Sequence, residues 1–192
     1  MENKNFNLVI VGVGGQGQIT LLRILAQAAF SEKKEVKTSE LHGLSQRGGS
    51  VEVQIRFGKD VQSPLVSQAG ADLVLALEIH EALRALYYCS EKTKFLINKN
   101  LVPIPGQNPI PENQILTEIK KFTKKIEVIN ASEICKRDFG NEILAGIYLI
   151  GYGINKKIIP LKRESILNAI KKLIPEKYLE LNLKAFDLSK SS

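Results

Sequence analysis

The apolar residues of this chain fall in short runs whose period changes along the sequence. Asn7-Leu8-Val9-Ile10-Val11 is continuous and stops at Gly12-Val13-Gly14-Gly15-Gln16-Gly17. Beyond that point Ile19, Leu22, Ala26 and Ala29 recur at helical intervals with Leu25 beside them, which predicts a strand, a tight glycine turn and a helix. Val36-Lys37-Thr38 predicts the next strand, followed by a loop from Thr38 to Ser50. Val51 to Phe57 then alternates apolar and polar residues, the mark of a strand with one wet or differently covered face, so the sheet is expected to be mixed.

Asp72-Leu73-Val74-Leu75-Ala76-Leu77 lacks alternation and predicts a central strand buried on both faces, with Glu78 at its carboxyl end and a helix from Glu81 to Tyr88. Phe95 to Asn98 and Ile126 to Asn130 predict later strands. Between them Val102 to Pro111 is too proline-rich for a helix or an inner strand and reads as an ordered, extended crossing segment before a helix near Asn113 to Lys125. Ser132 is placed as the N-cap of a short helix, helical spacing continues over Asn141 to Tyr152 and Arg163 to Leu173, and Pro175 opens a last helix. The expected fold is one α/β domain over 1–192: a three-layer, Rossmann-like mixed sheet with helices on both faces and a helical C-terminal segment.

Composition narrows the class. The 192 residues are 44% hydrophobic, enough for one core. The longest apolar runs, Leu73 to Leu77 and Leu144 to Ile150, fall short of the roughly 20 residues that span a bilayer, and Met1 to Asn5 leads into a strand pattern rather than a signal peptide. A cytoplasmic protein with no membrane partner is expected. The formal charge is +7, yet Lys92, Lys94, Lys99, Lys120, Lys121, Lys124 and Lys125 lack interleaved aromatic residues, which favours a solvated surface over a nucleic-acid face. Cys89 and Cys135 belong to no C-x-x-C pair and read as free buried thiols, so neither an iron–sulfur cluster nor a zinc knuckle is expected within this chain.

Two segments carry candidate chemistry. Gly12, Gly14 and Gly17 satisfy G-x-G-x-x-G between a strand and a helix, where backbone N–H groups can hold a phosphate. The same glycines also serve simply to bring strand and helix together. The ribose-reading acid expected about 20 residues on is not evident, since Lys37 stands near that place and Glu40 lies beyond it. In the loop, Arg47 with Gly48, Gly49 and Ser50 suits an anion-binding concavity, with Ser39, His42 and Ser45 as further hydrogen-bonding groups; a loop whose side chains cap one another is the alternative. Ser45 has no nucleophile-elbow context, His80 stands at a helix start, and His42 lies far from it, so neither a serine hydrolase nor a metal site is indicated. Glu78 reads equally as a ligand or interface residue and as a helix-start carboxylate.

Taken in order, Gly12 to Gly17, Ser39 to Val51, Ser63-Pro64-Leu65, Ala71 to Glu78 and Leu179 to Phe186 resemble the gamma-domain family of 2-oxoacid:ferredoxin oxidoreductases over nearly the whole chain. Within that family the resemblance is greatest to the small (beta) subunits of indolepyruvate:ferredoxin oxidoreductases. It implies oxidative decarboxylation of a 2-oxoacid, here aryl pyruvates, to an acyl-CoA, with thiamine diphosphate and magnesium supplying the carbanion chemistry and 4Fe-4S clusters carrying electrons to ferredoxin. This chain has no Gly-Asp-Gly thiamine motif and no cluster cysteines, so the resemblance places those cofactors on a large (alpha) catalytic subunit, with coenzyme A as co-substrate. The residues expected to meet a ligand or that subunit are Gly14, Gly15, Gln16, Gly17, Ser45, Gln46, Arg47, Gly48 and Gly49, none as acid, base or nucleophile. A freestanding dinucleotide-binding oxidoreductase and a nucleotide-binding regulatory subunit are the rival readings.

Overall fold

The computed structural model describes residues 5–42, 49–103 and 108–191. Its strands, numbered in chain order, are β1 (Phe6–Val13), β2 (Glu35–His42), β3 (Ser50–Gly58), β4 (Leu73–Ala76), β5 (Lys94–Asn98) and β6 (Ile126–Ile129). The helices are α1 (Gln18–Ser31), α2 (Glu81–Arg84), α3 (Glu112–Lys120), α4 (Ala131–Phe139), α5 (Ala145–Asn155), α6 (Arg163–Leu173) and α7 (Glu176–Leu188). One sheet runs in the order β2-β3-β1-β4-β5-β6. β1, β4, β5 and β6 are mutually parallel, β3 runs antiparallel to β1, and β2 antiparallel to β3.

The period of two along β1 divides the core. Leu8 and Ile10 pack in a cluster with α1, α4, α5, α6 and α7, while Val9 and Val11 join Val66, α2 and α3 on the opposite face. Both faces are covered, as the unbroken apolar run of β4 requires. α5 crosses the larger layer almost wholly enclosed: Tyr148, Leu149 and Ile150 are all fully buried.

The alternation in β3 has a specific cause. Val51, Val53, Ile55 and Phe57 fill the larger core, and of the polar residues between them Gln54 is buried while Glu52 and Arg56 are partly covered. Gln54 is buried, donating to Glu52 at 2.7 Å and to the Tyr88 hydroxyl at 2.9 Å while accepting the Val66 N–H. Tyr88 in turn donates to Glu52, and burial first, then that carboxylate, pushes its ionisation well above the usual tyrosine range. Arg56 donates to Asn7 and to the Ser63 and Leu65 carbonyls.

Several expected boundaries shift. β2 does not stop at Thr38 but continues through Ser39, Glu40, Leu41 and His42, because β3 pairs with it residue for residue up to His42 opposite Val51. The helix expected over Glu81 to Tyr88 is a single α turn followed by a 3-10 turn at Ala85–Tyr88. α3 ends at Lys120, and the helix expected from Asn141 starts as a 3-10 turn capped by the Asn141 side chain before α5 begins. Ser132 lies inside α4, whose N-cap position is Asn130.

Candidate functional site

α1 packs on one face of the sheet and α2 on the other, so the crevice beyond the carboxyl ends of β1 and β4 is where the winding reverses, the place open α/β sheets offer to ligands. The glycine turn sits there. Gly15 and Gly17 have φ of +102° and +84°, conformations an L side chain resists. No side chain caps α1, and its first internal bond runs from the Leu21 N–H to the Gly17 carbonyl, leaving first-turn N–H groups for an outside acceptor.

Two glutamines close the end of β1. Gln16 accepts the Val13 N–H on Oε1 at 2.9 Å, and Gln18 donates from Nε2 to the Val13 carbonyl at 2.9 Å. Both amides lie against Gly12, where a Cβ would come within 2.6 Å of each. Close strand–side-chain packing is therefore what Gly12 permits, and the space above it is filled by protein.

A cavity of about 330 Å³ opens beside this turn, lined by Gly14, Gly15, Gln16, Asn98, Asn100 and Ser132 among others. A second, of about 490 Å³, lies between α1 and the α6–α7 corner, lined by Thr20, Ile147, Leu173, Ile174 and Tyr178. Gln16 and Ile143 belong to both walls. Asn98 ends β5 inside the first cavity, with Nδ2 donating to the Leu77 carbonyl and to the Ser132 hydroxyl.

The β2–β3 connection meets the same edge. The Gly14 N–H donates to the Gly49 carbonyl at 2.8 Å, so the end of the connection is bound to the glycine turn. Ser50 donates to Glu81, which also receives Arg84, while Glu78 accepts the Glu81 and Val102 N–H groups. Glu78 is thus the helix-start carboxylate of the two readings. His80 places Nε2 3.1 Å from the Ile110 carbonyl and Nδ1 3.6 Å from Glu78.

Of the expected site residues, Gly14, Gly15, Gln16, Gly17 and Gly49 are brought together. Ser45, Gln46, Arg47 and Gly48 lie outside the described residues. Ser39 is part of β2 opposite Gln54, not of a loop. Gln18 and Asn98 were not among the expected site residues, and Ser132 was expected only as a helix cap; a polar residue ending an apolar strand, as Asn98 does in Phe95 to Asn98, is the signal that marks one of them.

The position beside β1 taken in dinucleotide folds by the strand after the first helix is occupied here by antiparallel β3, with β2 one place further out. Cys89 and Cys135 are buried on opposite faces of the sheet. Among the described residues no group of three or more His, Cys, Asp or Glu side chains is arranged to hold a metal ion, and no helix is long and apolar enough to cross a membrane.

Comparison with known proteins places this geometry. The family model for pyruvate ferredoxin/flavodoxin oxidoreductase matches residues 7–191. The chain is 37% identical over 187 residues to indolepyruvate oxidoreductase subunit IorB of Archaeoglobus fulgidus, covering 95% of this chain and 92% of that one. The subunit of the same name from Pyrococcus horikoshii is 36% identical over 96% of this chain and 94% of its own. In structure, the gamma subunit of the keto/oxoacid ferredoxin oxidoreductase from Geobacter sulfurreducens superposes with a TM-score of 0.70 at 23% identity, over 97% of this chain and 96% of that one. The 2-oxoglutarate:ferredoxin oxidoreductase of Magnetococcus marinus gives 0.76 at 19% identity; there the match covers 99% of this chain but 31% of a longer one.

Proposed function

Because the chain belongs to the pyruvate ferredoxin/flavodoxin oxidoreductase family, we propose that it is the small subunit of a 2-oxoacid:ferredoxin oxidoreductase acting on indolepyruvate and related aryl pyruvates. The observation that carries this is the end-to-end match, at 33% to 37% identity, with four subunits named for indolepyruvate oxidoreductase. The reaction is oxidative decarboxylation: the bond between the carboxylate and the keto carbon breaks, carbon dioxide leaves, the acyl group joins the coenzyme A thiol, and the electrons pass singly to ferredoxin. Thiamine diphosphate supplies the electron sink and iron–sulfur clusters the wire, both held by the large subunit. Two buried thiols on opposite sheet faces cannot share a cluster, which supports that division of labour.

The 192 residues act as one gamma-type domain. Its carboxyl edge, with Gly14 to Gly17, Gly49 and the preceding Ser45 to Gly48, contacts the large subunit and the coenzyme A approach. The uncapped start of α1 favours an anionic group there, and Arg47 adds a fork of donors for a phosphate or carboxylate. Gln16 and Gln18 fill the cradle above Gly12, and β3 takes the place of the strand that carries a ribose-reading acid, which supports a ligand other than a nicotinamide dinucleotide. Calorimetric titration of the isolated chain with NADH, NADPH, FAD and coenzyme A tests this: the nicotinamide nucleotides give no saturable heat. Tight NADH or NADPH binding abolished by Gly14→Val would replace the subunit reading with a dinucleotide enzyme.

A further inference from the structure

The corner between α6 and α7 leaves apolar side chains in the open. Ile174 is extended, as a residue before proline is held, and Pro175 stands at the N-cap of α7, so the chain turns sharply between Leu173 and Tyr178. Leu173 is 37% exposed and Tyr178 49%, with Lys177 Nζ 4.6 Å from the centre of the Tyr178 ring. The 3-10 turn at Glu142–Leu144 buries Leu144 in the core and leaves Ile143 61% exposed. With Ile147 and Leu181 these residues wall the groove of about 490 Å³ beside α1. None of the described residues lining it is charged, although charged residues make up 24% of the chain. Its amides are already engaged: Asn141 accepts the Ile143 N–H, and buried Asn182 donates to the Tyr178 carbonyl.

We propose that this groove is the docking surface for an uncharged, apolar segment of the large subunit, with Tyr178 and Ile143 as its anchors. The inference rests on the function proposed above. Charge is absent from the lining, while exposed Glu142, Glu176 and Lys177 stand next to the anchors in the chain. An apolar centre with a polar rim is the anatomy of a lasting protein contact, and an exposed patch of this kind marks an interaction site. A small molecule would need convergent polar groups to orient it, and the amides here are bound to the backbone. Position favours the large subunit over a second copy of this chain. Gln16 and Ile143 also wall the cavity at the glycine turn, so the groove continues the carboxyl-terminal edge that meets that subunit, and one partner seated over Ile143 covers both.

Association of this chain with its large subunit, followed by interferometry and by light scattering of the mixture, is the test. Tyr178→Asp and Ile143→Asp each weaken association by about tenfold or more, and Tyr178→Ala, which adds no charge, gives a smaller loss in the same direction. The isolated variants keep the melting midpoint of the wild-type chain, because both side chains are exposed in it. Tyr178→Phe associates as the wild type does. Phe30→Asp and Phe122→Asp, at exposed aromatic residues on the last turn of α1 and beyond α3, change nothing. Undiminished association of Tyr178→Asp and Ile143→Asp overturns the proposal. So does a raised KM for the oxoacid or coenzyme A with association intact, which would make the groove a ligand site. Loss of self-association by the isolated chain, with the mixed complex unaffected, overturns it as well and makes the groove a contact between copies. A wild-type chain that neither binds the large subunit nor supports oxoacid oxidation with it would instead remove the function on which the inference rests.

Discussion

Asn98, the last residue of β5, grips the first turn of α4 through Ser132: its Oδ1 accepts the Ser132 N–H at 3.1 Å while its Nδ2 donates to the Ser132 hydroxyl at 2.8 Å. The helix has no cap from its own N-cap side chain, so a buried amide from another strand does that work and holds the floor of the first cavity. Asn98→Ala strands the Ser132 N–H and leaves the Leu77 carbonyl to a longer, 3.4 Å bond from Gln16, and is expected to cost about 2 kcal/mol; Ser132→Ala, which removes one contact, costs about 1 kcal/mol. Urea unfolding of both variants and the double variant checks this, and the double variant is less destabilised than the sum because the residues share one network.

The glycine turn separates backbone demand from space. A Cβ on Gly15 touches nothing within 4 Å, but φ of +102° makes Gly15→Ala costly by about 1–2 kcal/mol through the backbone alone. Gly12→Ala collides instead with the Gln16 and Gln18 amides. Shortening Gln16 to alanine therefore recovers part of the Gly12→Ala loss and none of the Gly15→Ala loss, read as unfolding midpoints of the two double variants.

Burial, and secondarily the charge of Asp138, pushes the Cys135 thiol from 9.0 to about 12. Below pH 9 the thiol is protonated whether the chain is folded or not, and it adds no pH dependence. Above pH 9 the unfolded thiol ionises while the folded one stays neutral, so its contribution drains stability as pH rises toward 12. Cys135→Ala flattens the fall of stability between pH 9 and 12 relative to wild type, measured by denaturant unfolding. In the native protein at pH 8 the thiol resists maleimides and reacts once urea unfolds the chain.

The parts of the fold that are local were legible. β1, the glycine turn and α1 follow from an apolar run, glycine spacing and a helical period within the first 31 residues. Ser39 to His42 was not legible as strand, because Ser39-Glu40-Leu41-His42 has no apolar alternation and is held by its ladder to β3. Ser132 has the residue type of a cap, yet its partner Asn98 is 34 residues away and known only once β5 and α4 are packed. The glutamines were hidden for a similar reason: nothing in Gly-Gly-Gln-Gly-Gln states that two amides fold back onto Val13.

Arg47 was singled out by residue type and lies in the connection whose end is bound to the glycine turn by Gly49. In the assembled complex Arg47→Ala lowers turnover or coenzyme A affinity by about tenfold or more, the loss of a charge-assisted pair. The isolated chain keeps its unfolding midpoint. Steady-state kinetics with varied coenzyme A, beside a thermal melt of the subunit, give the comparison.

The central claim is tested most directly by mixing this chain with its large subunit and following reduction of ferredoxin on addition of indolepyruvate, phenylpyruvate, pyruvate, 2-oxoglutarate and a branched-chain oxoacid, each with and without coenzyme A. The predicted result is coenzyme A-dependent reduction that requires both chains and is fastest with the aryl pyruvates. Equal activity of the large subunit without this chain, or no oxoacid-dependent reduction by the mixture, would contradict it.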